Sequence, residues 1–340
     1  MQAGMGEVIF APLYETLVGR GVEFRFFHRV DELDVEGDRV AAVHIGRQVG
    51  PAAAVADYQP LVLADGLPAW PAQPDHDQLE AGTWLDESEH HHGERRDLDS
   101  VVLRAGDGFD IVVFAASLGI VPHVASQLVA ASPRWRAMVD NVATVPTQAF
   151  QLWLTADEKE LGWQGGEGVT LSGFAPPFDT WASMSHLLAV EDAPAATKSV
   201  AYFCGSLDER HDQSAEAVRH RAVEFLNERV AGIWPAAASA EGGFRWDLLA
   251  GDAGATGVGR FDGQYWRANT DPSDRYVQSL PGTDRYRLSP GDTGFANLVI
   301  AGDWTDSGLN AGCLEAATRS GILAAEAVAE RVQIAEEQND

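Results

Sequence analysis

Apolar positions near the end of the chain follow two different periods. Leu298 to Ala301 is a continuous apolar run, the pattern of a short parallel strand buried on both faces, and Gly302-Asp303 ends it where the backbone must turn sharply. From Leu314 onward Ala317, Thr318, Gly321, Ile322, Ala325, Val328 and Val332 recur in steps of three and four, which predicts a helix with one narrow face of small residues. Such a face can lie close against a sheet. At the other end, Pro12 suits the first turn of a helix running through Leu13, Leu17 and Val18 to a stop at Gly19 or Gly21. Val22 to Phe27 then reads as a strand. Glu32 to Val35 and Val40 to Ile45 read as an antiparallel pair around Glu36-Gly37-Asp38.

The middle of the chain is more varied. Val101 to Arg104 and Phe109 to Ala115 read as strands joined by the hairpin turn Gly106-Asp107-Gly108. Val124 to Val145 reads as a helix with Trp135, Met138 and Val139 on its apolar face, ended by Pro146. Thr147 to Thr155 alternates as a strand, with Phe150, Leu152 and Leu154 on one side. A strand over Ser199 to Cys204 and a helix from Ser214 to Val230 follow. Between Arg47 and Ser100, Pro51, Pro60, Pro68, Pro71 and Pro74 break regular structure, and 86–99 is a run of charges; the stretch reads as an irregular insertion. Trp70, in its more apolar part, either packs on the sheet or lines a substrate entrance, and core packing is the favoured reading.

Composition narrows the classes of partner. At 340 residues and 45% hydrophobic content the chain can bury a sizeable core. Fifty-one acids against 24 bases give a formal charge of -27, which argues against binding nucleic acid or anionic lipid by charge attraction. The lysines are Lys159 and Lys198, and the cysteines Cys204 and Cys313 stand far apart in no CxxC pattern, so no disulfide framework or cysteine metal site is indicated. His90, His91 and His92 beside Glu89 are read as a solvated charged face rather than a metal site, since consecutive side chains fan apart. With no apolar run of bilayer length and no signal-peptide pattern, a cytoplasmic location is expected; membrane contact is left open.

The strand, acid and small-residue helix near the end suit a flavin. Asp303 can accept a hydrogen bond from a ribityl hydroxyl, and the free main-chain N–H groups near Gly312, Cys313 and Leu314 point at whatever lies before the helix. A helix dipole there stabilises the negative charge that gathers on a flavin pyrimidine upon reduction. The run AGDWTDSGLNAGCLEAATRSGILAA resembles the C-terminal flavin-binding signature of FAD-dependent oxidoreductases of the flavin amine oxidase and phytoene desaturase superfamily. It departs from it at Asn310, where desaturases usually have Pro, and at Ala316, which replaces a Gly. Two further segments carry the resemblance. The stretch GMGEVIFAPLYETLVGRGVEFRFFHRVDELDVEGDRVAAVHI is similar to the part of the FAD domain after its first βαβ unit, where the residue matching Val30 meets the adenine through its backbone. FDIVVFAAS resembles the strand that returns to that domain, where residues matching Ala115, Ala116 and Ser117 approach the cofactor.

The resemblance implies FAD as cofactor and assigns its contacts to Val30, Ala115, Ala116, Gly302, Asp303, Trp304, Asn310, Gly312, Cys313 and Leu314. It also exposes an absence. Family members hold the FAD pyrophosphate on a strand, a G-x-G-x-x-G turn and a helix, whereas here Gly4-Met5-Gly6 lacks the third glycine and GATGVG at 254–259 has the wrong spacing. The expectation is a fragment, or a protein whose missing half comes from a separate N-terminal dinucleotide-binding polypeptide, with weak or no FAD binding by this chain alone.

The expected fold is α/β (α+β): an incomplete FAD/NAD(P)-binding Rossmann-like domain with an inserted mixed-sheet and helix substrate domain. Its expected parts are an FAD-domain segment at 1–48, an irregular acidic insertion at 49–100, FAD-domain strands at 101–122, a substrate-binding domain at 123–292, the C-terminal FAD-binding strand and helix at 293–333, and a tail at 334–340. The substrate region is rich in tryptophan, and Trp266, Asn269 and Tyr276 are placed near the substrate. Because a flavin itself accepts the hydride, no protein side chain is assigned as catalytic. Hydride transfer from a small hydrophobic, isoprenoid-like substrate is the favoured function. Amine oxidation, which would require Lys159 or Lys198 at the flavin, and a cofactor-free binding module or inactive fragment are the alternatives.

Overall fold

In the computed structural model the described residues are 3–53, 55, 57–64, 66–71, 73–80, 97–166, 168–190, 193–208, 210–251 and 254–339, with side chains described to 334. Strands are numbered along the chain: β1 (His28–Glu36), β2 (Arg39–Arg47), β3 (Val62–Ala64), β4 (Leu67–Ala69), β5 (Asp99–Arg104), β6 (Val112–Phe114), β7 (Thr144–Val145), β8 (Thr147–Leu154), β9 (Thr170–Leu171), β10 (Thr180–Ser183), β11 (Ser199–Ser206), β12 (Tyr265–Asn269), β13 (Tyr276–Val277) and β14 (Leu298–Ile300). The architecture is mixed α/β, with several small sheets and helices. Two compact units share the chain. One comprises Met1–Val22, Leu61–Pro71 and Pro146–Thr270, the other Glu23–Pro60, Ala72–Val145 and Asp271–Asp340. We call them the large-sheet unit and the signature unit.

The large-sheet unit is built on an antiparallel sheet of order β12-β8-β11-β10-β9. The alternation in 147–155 has the predicted effect: Phe150, Leu152 and Leu154 are fully buried. Phe150 stacks on Phe203 of β11 at 4.8 Å and meets Phe178 edge-on at 4.7 Å. The helix Ala215–Glu228 adds Val218, Ala222, Phe225 and Leu226 to the same core, and Ser214 caps it by accepting the Ala217 N–H at 3.2 Å. The N-terminal helix Ala11–Gly19 belongs to this unit, where Tyr14 meets Trp70 edge-on at 5.5 Å. The boundary between the two units falls at Val22, inside the expected 1–48 segment. Trp70 is half-buried there, and the expected irregular insertion contains the hairpin β3–β4.

The signature unit holds a three-stranded antiparallel sheet, β1-β2-β5, and the parallel pair β14–β6, with Leu298, Val299 and Ile300 opposite Val112, Val113 and Phe114. All three residues of β14 are fully buried, as a continuous apolar run in a parallel strand requires. Three expectations need correction. Gly106-Asp107-Gly108 does not join an antiparallel pair, because β5 takes β2 as partner and β6 takes β14. Val22 to Phe27 is not a strand; β1 begins at His28, after Phe27 turns the backbone at φ 58. The helix expected over 124–145 is broken into Val121–Val124, Ser126–Ala131 and Pro133–Asn141, since Pro133 supplies no N–H and starts a new helix. These short helices and 271–292 fall within the signature unit, which divides the expected 123–292 domain.

The signature unit closes on a shared core of Leu33, Val40, Val43, Phe114, Trp135, Met138, Leu298, Ile300 and Trp304. A buried amide ties its sheets together: Asn297 accepts the Val40 N–H at 2.8 Å and donates to the Val40 carbonyl at 2.8 Å. Trp135 donates its indole N–H to the Thr293 carbonyl at 2.9 Å, and Arg331 on the C-terminal helix Leu314–Asn339 donates to the carbonyls of Leu298 and Gly291. Among the described residues no helix is long and apolar enough to cross a membrane. Replacing Asn297 by Ala leaves both main-chain groups of Val40 buried without partners. Urea unfolding of Asn297→Ala is expected to show a loss of about 2–4 kcal/mol with an unchanged denaturant slope.

Candidate functional site

The site begins where β14 runs out. Past Ile300 the chain passes Gly302 at φ 145, and a Cβ on this residue would lie 2.5 Å from the indole Nε1 of Trp304. Only glycine serves at such a backbone angle and such an approach. The Gly302 N–H donates to the Ser320 hydroxyl on the C-terminal helix at 3.0 Å, and the Thr305 hydroxyl donates to the Gly302 carbonyl at 2.9 Å. Trp304 is buried, donates its indole N–H to the Ala116 carbonyl at 3.0 Å and meets Phe114 edge-on. The ends of β14 and β6 are thereby fixed side by side.

This turn leaves the Asp303 carboxyl half-buried, in contact with its own main-chain N–H. Among the described residues no side chain forms an ion pair or hydrogen bond with it, so its oxygens stay open to a ligand's donors. Burial pushes the carboxyl above the usual aspartate range, and the nearby Arg287 guanidinium works in the opposite direction. Gly312 lies beside it: a Cβ there would be 3.6 Å from Asp303 Oδ2 and 3.1 Å from the Val277 carbonyl. The absence of a side chain keeps this approach open. Cys313 and Leu314 begin the C-terminal helix, whose first N–H groups have no helical partner.

Arg287 is buried at 5% exposure beneath the turn. It donates Nη1 to the Asp303 carbonyl at 2.6 Å and Nη2 to the Ser279 hydroxyl at 3.2 Å and the Gln278 carbonyl at 3.4 Å. Ser279 in turn donates its hydroxyl to the Asn310 carbonyl. The buried amide oxygen of Asn310 has no hydrogen-bond partner, which is the signature of a polar group awaiting one.

Val30, Ala115 and Ala116 come together elsewhere in the same unit. With Leu33, Val43, Val112, Val113, Phe114, Ile120 and Val124 they line an apolar cavity of about 430 Å³ at the end of β6. Of the expected substrate residues, Trp266 stacks on Phe261 at 5.5 Å as core, and Asn269 donates to the Thr147 hydroxyl at 3.0 Å within the sheet. Tyr276 lies in the signature unit and is exposed. Lys159 and Lys198 both line a pocket of about 310 Å³ in the large-sheet unit, with Glu158, Trp163, Ser183 and Ser185, and Lys198 pairs with Glu160 at 2.9 Å. Glu89 and the histidines 90–92 lie outside the described residues.

One comparison overlaps the signature. Residues 246–329 match the family model of the flavin containing amine oxidoreductases. Asp303 and Gly312 lie inside the segment that is similar to that family. The chain is also similar to an oxidoreductase from Methanosarcina mazei of known crystal structure, at a TM-score of 0.49 and 11% identity over 94% of this chain and 52% of that one. It thus spans about half of that protein's length. No curated protein matches it.

Reasoning from the sequence missed Arg287, Ser279 and Ser320. None belongs to a run that marks it, except that Ser320 sits in the SG pair of the signature helix. Because the folded-state Asp303 holds its proton more tightly than the unfolded chain does, stability falls as pH rises from the ordinary aspartate value of 3.8 through the raised one. Asp303→Asn removes that penalty. Thermal unfolding is expected to show the variant melting above the wild type at pH 7, with the difference vanishing below about pH 3.5.

Proposed function

We propose that this chain is the flavin-binding and substrate-binding portion of an FAD-dependent oxidoreductase that takes a hydride from a small hydrophobic substrate. The observation that carries the reading is the Asp303 carboxyl, half-buried and open at the end of a parallel strand, with Gly312 cleared beside it. Bound FAD would supply the hydride acceptor. Asp303 would accept from its ribityl hydroxyls, while the N–H groups at Gly312, Cys313 and Leu314 would face its pyrimidine edge. The open Asn310 amide suits the polar rim of that ring. The cavity lined by Val30, Ala115 and Ala116 suits the adenine end.

An incomplete Rossmann-like domain is the fold that fits this reading. Among the described residues β6 pairs with β14 on one edge and with no strand on the other, and Val113 leaves one face of the strand 48% exposed. Parallel sheets are ordinarily covered on both faces and extended by further strands. A further parallel strand followed by a phosphate-binding turn would complete the sheet at this edge. Such a strand belongs to a dinucleotide-binding segment or to a separate polypeptide.

The test is an FAD titration followed by the visible absorbance of bound flavin, with the chain alone and with an added polypeptide carrying a strand, a GxGxxG turn and a helix. Weak or no binding is expected alone and loading in the presence of the added half. Asp303→Ala is expected to weaken loading by about 10- to 100-fold, the worth of a hydrogen bond to a charged acceptor. Failure to load with the added half, or loading indifferent to Asp303→Ala, would overturn the reading.

A further inference from the structure

Buried arginines near a carboxylate usually form a bidentate pair with it, because the fork of five N–H donors matches two carboxylate oxygens. Arg287 does otherwise. Its Nη1 takes the main-chain carbonyl of Asp303 at 2.6 Å, its Nη2 reaches Ser279 and Gln278, and its Nε has no partner. Its charge still reaches Asp303, Asp284 and Asp306, which all face it. A bidentate pair would hold the Asp303 carboxylate ionised but fill its lone pairs. Binding the carbonyl of the same residue supplies the charge through space and leaves those lone pairs free.

We propose that Arg287 is the positioning residue of this site: it keeps the Asp303 carboxylate ionised yet unoccupied, and through Ser279 sets the distance between the Asp303 turn and the Asn310 loop. The inference rests on the reading of Asp303 as the acid that faces the ligand, but its test needs no flavin. Two arms act at once. The Nη1 bond and the charge act on Asp303, and the relay from Nη2 to the Ser279 hydroxyl to the Asn310 carbonyl acts on the loop. The guanidinium is itself desolvated, which raises the energetic weight of each of these contacts. A ligand with adjacent hydroxyl donors, such as a polyol chain, would then find an acceptor already charged and already placed.

The experiment is a carboxyl ¹³C NMR titration of Asp303 in the full chain, wild type, Arg287→Met and Arg287→Lys, alongside hydrogen exchange at 310–313. In Arg287→Met the Asp303 midpoint is expected to rise by about one unit or more, as loss of a close opposite charge does. Arg287→Lys is expected to hold the midpoint near the wild-type value while exchange at 310–313 speeds up about tenfold, because an ammonium cannot serve both arms. Ser279→Ala is expected to speed the same exchange and leave the midpoint in place. An Asp303 midpoint unmoved in a folded Arg287→Met, or exchange unmoved in Ser279→Ala, would overturn the corresponding arm. Should Arg287→Met not fold, the wild-type protein decides: the Arg287 Nε–H resonance must shift with the Asp303 midpoint, and a resonance indifferent to that titration sinks the proposal. Absent FAD loading, by contrast, would overturn only the functional reading.

Discussion

The signature unit hangs on the passage of the main chain beneath the Trp304 indole at Gly302. With φ at 145 and room for no Cβ, the backbone there must turn, and the indole that crowds it reaches across to the Ala116 carbonyl. One contact therefore fixes three things. It ends β14, it holds β6 beside it, and it sets the turn on which Asp303 stands, next to a Trp304 that enters the core. The Ser320 hydroxyl, accepting from Gly302 at 3.0 Å and sharing a 2.7 Å bond with Thr305, ties the same turn to the C-terminal helix.

How much of this was legible follows from which signals are local. β14 and its helix were readable because a continuous apolar run and a three-four spacing are local patterns, and the GDWT signature adds the residue types of the turn. The alternation in β8 was readable for the same reason. What was not legible is pairing. The turn Gly106-Asp107-Gly108 looks like a hairpin, yet β5 and β6 part to join different sheets, a choice made by long-range burial of Val112 and Phe114 against β14. Arg287 was silent for a related reason. Its partners are main-chain carbonyls and a serine, which no residue pattern announces.

In a chain of net charge -27 the expected place for cations is the surface, as neutralising groups. Several arginines do something else. Arg287 holds the Asp303 carbonyl, Arg331 the carbonyls of Leu298 and Gly291, and Arg260 those of Leu249 and Ala255. Each takes main-chain oxygens that end a strand or a turn, where regular structure leaves them unmatched. Burial pushes Arg287 and Arg331 below the usual guanidinium range, yet that range lies so high that both remain charged.

The open edge of β6 has a colloidal consequence. Among the described residues β6 has a strand partner on one edge only, and a short strand with an exposed valine and no lysine or proline to guard it is a template for pairing with any extended segment, including the same strand of another molecule. What opposes self-pairing is mutual repulsion between strongly acidic molecules, a force whose reach is the Debye length. At low ionic strength that reach spans the gap between two approaching copies; at about 1 M salt it shrinks to about 3 Å, less than the spacing of paired strands. The acidity of the chain therefore guards, at a distance and only in dilute electrolyte, an edge that its local sequence leaves bare.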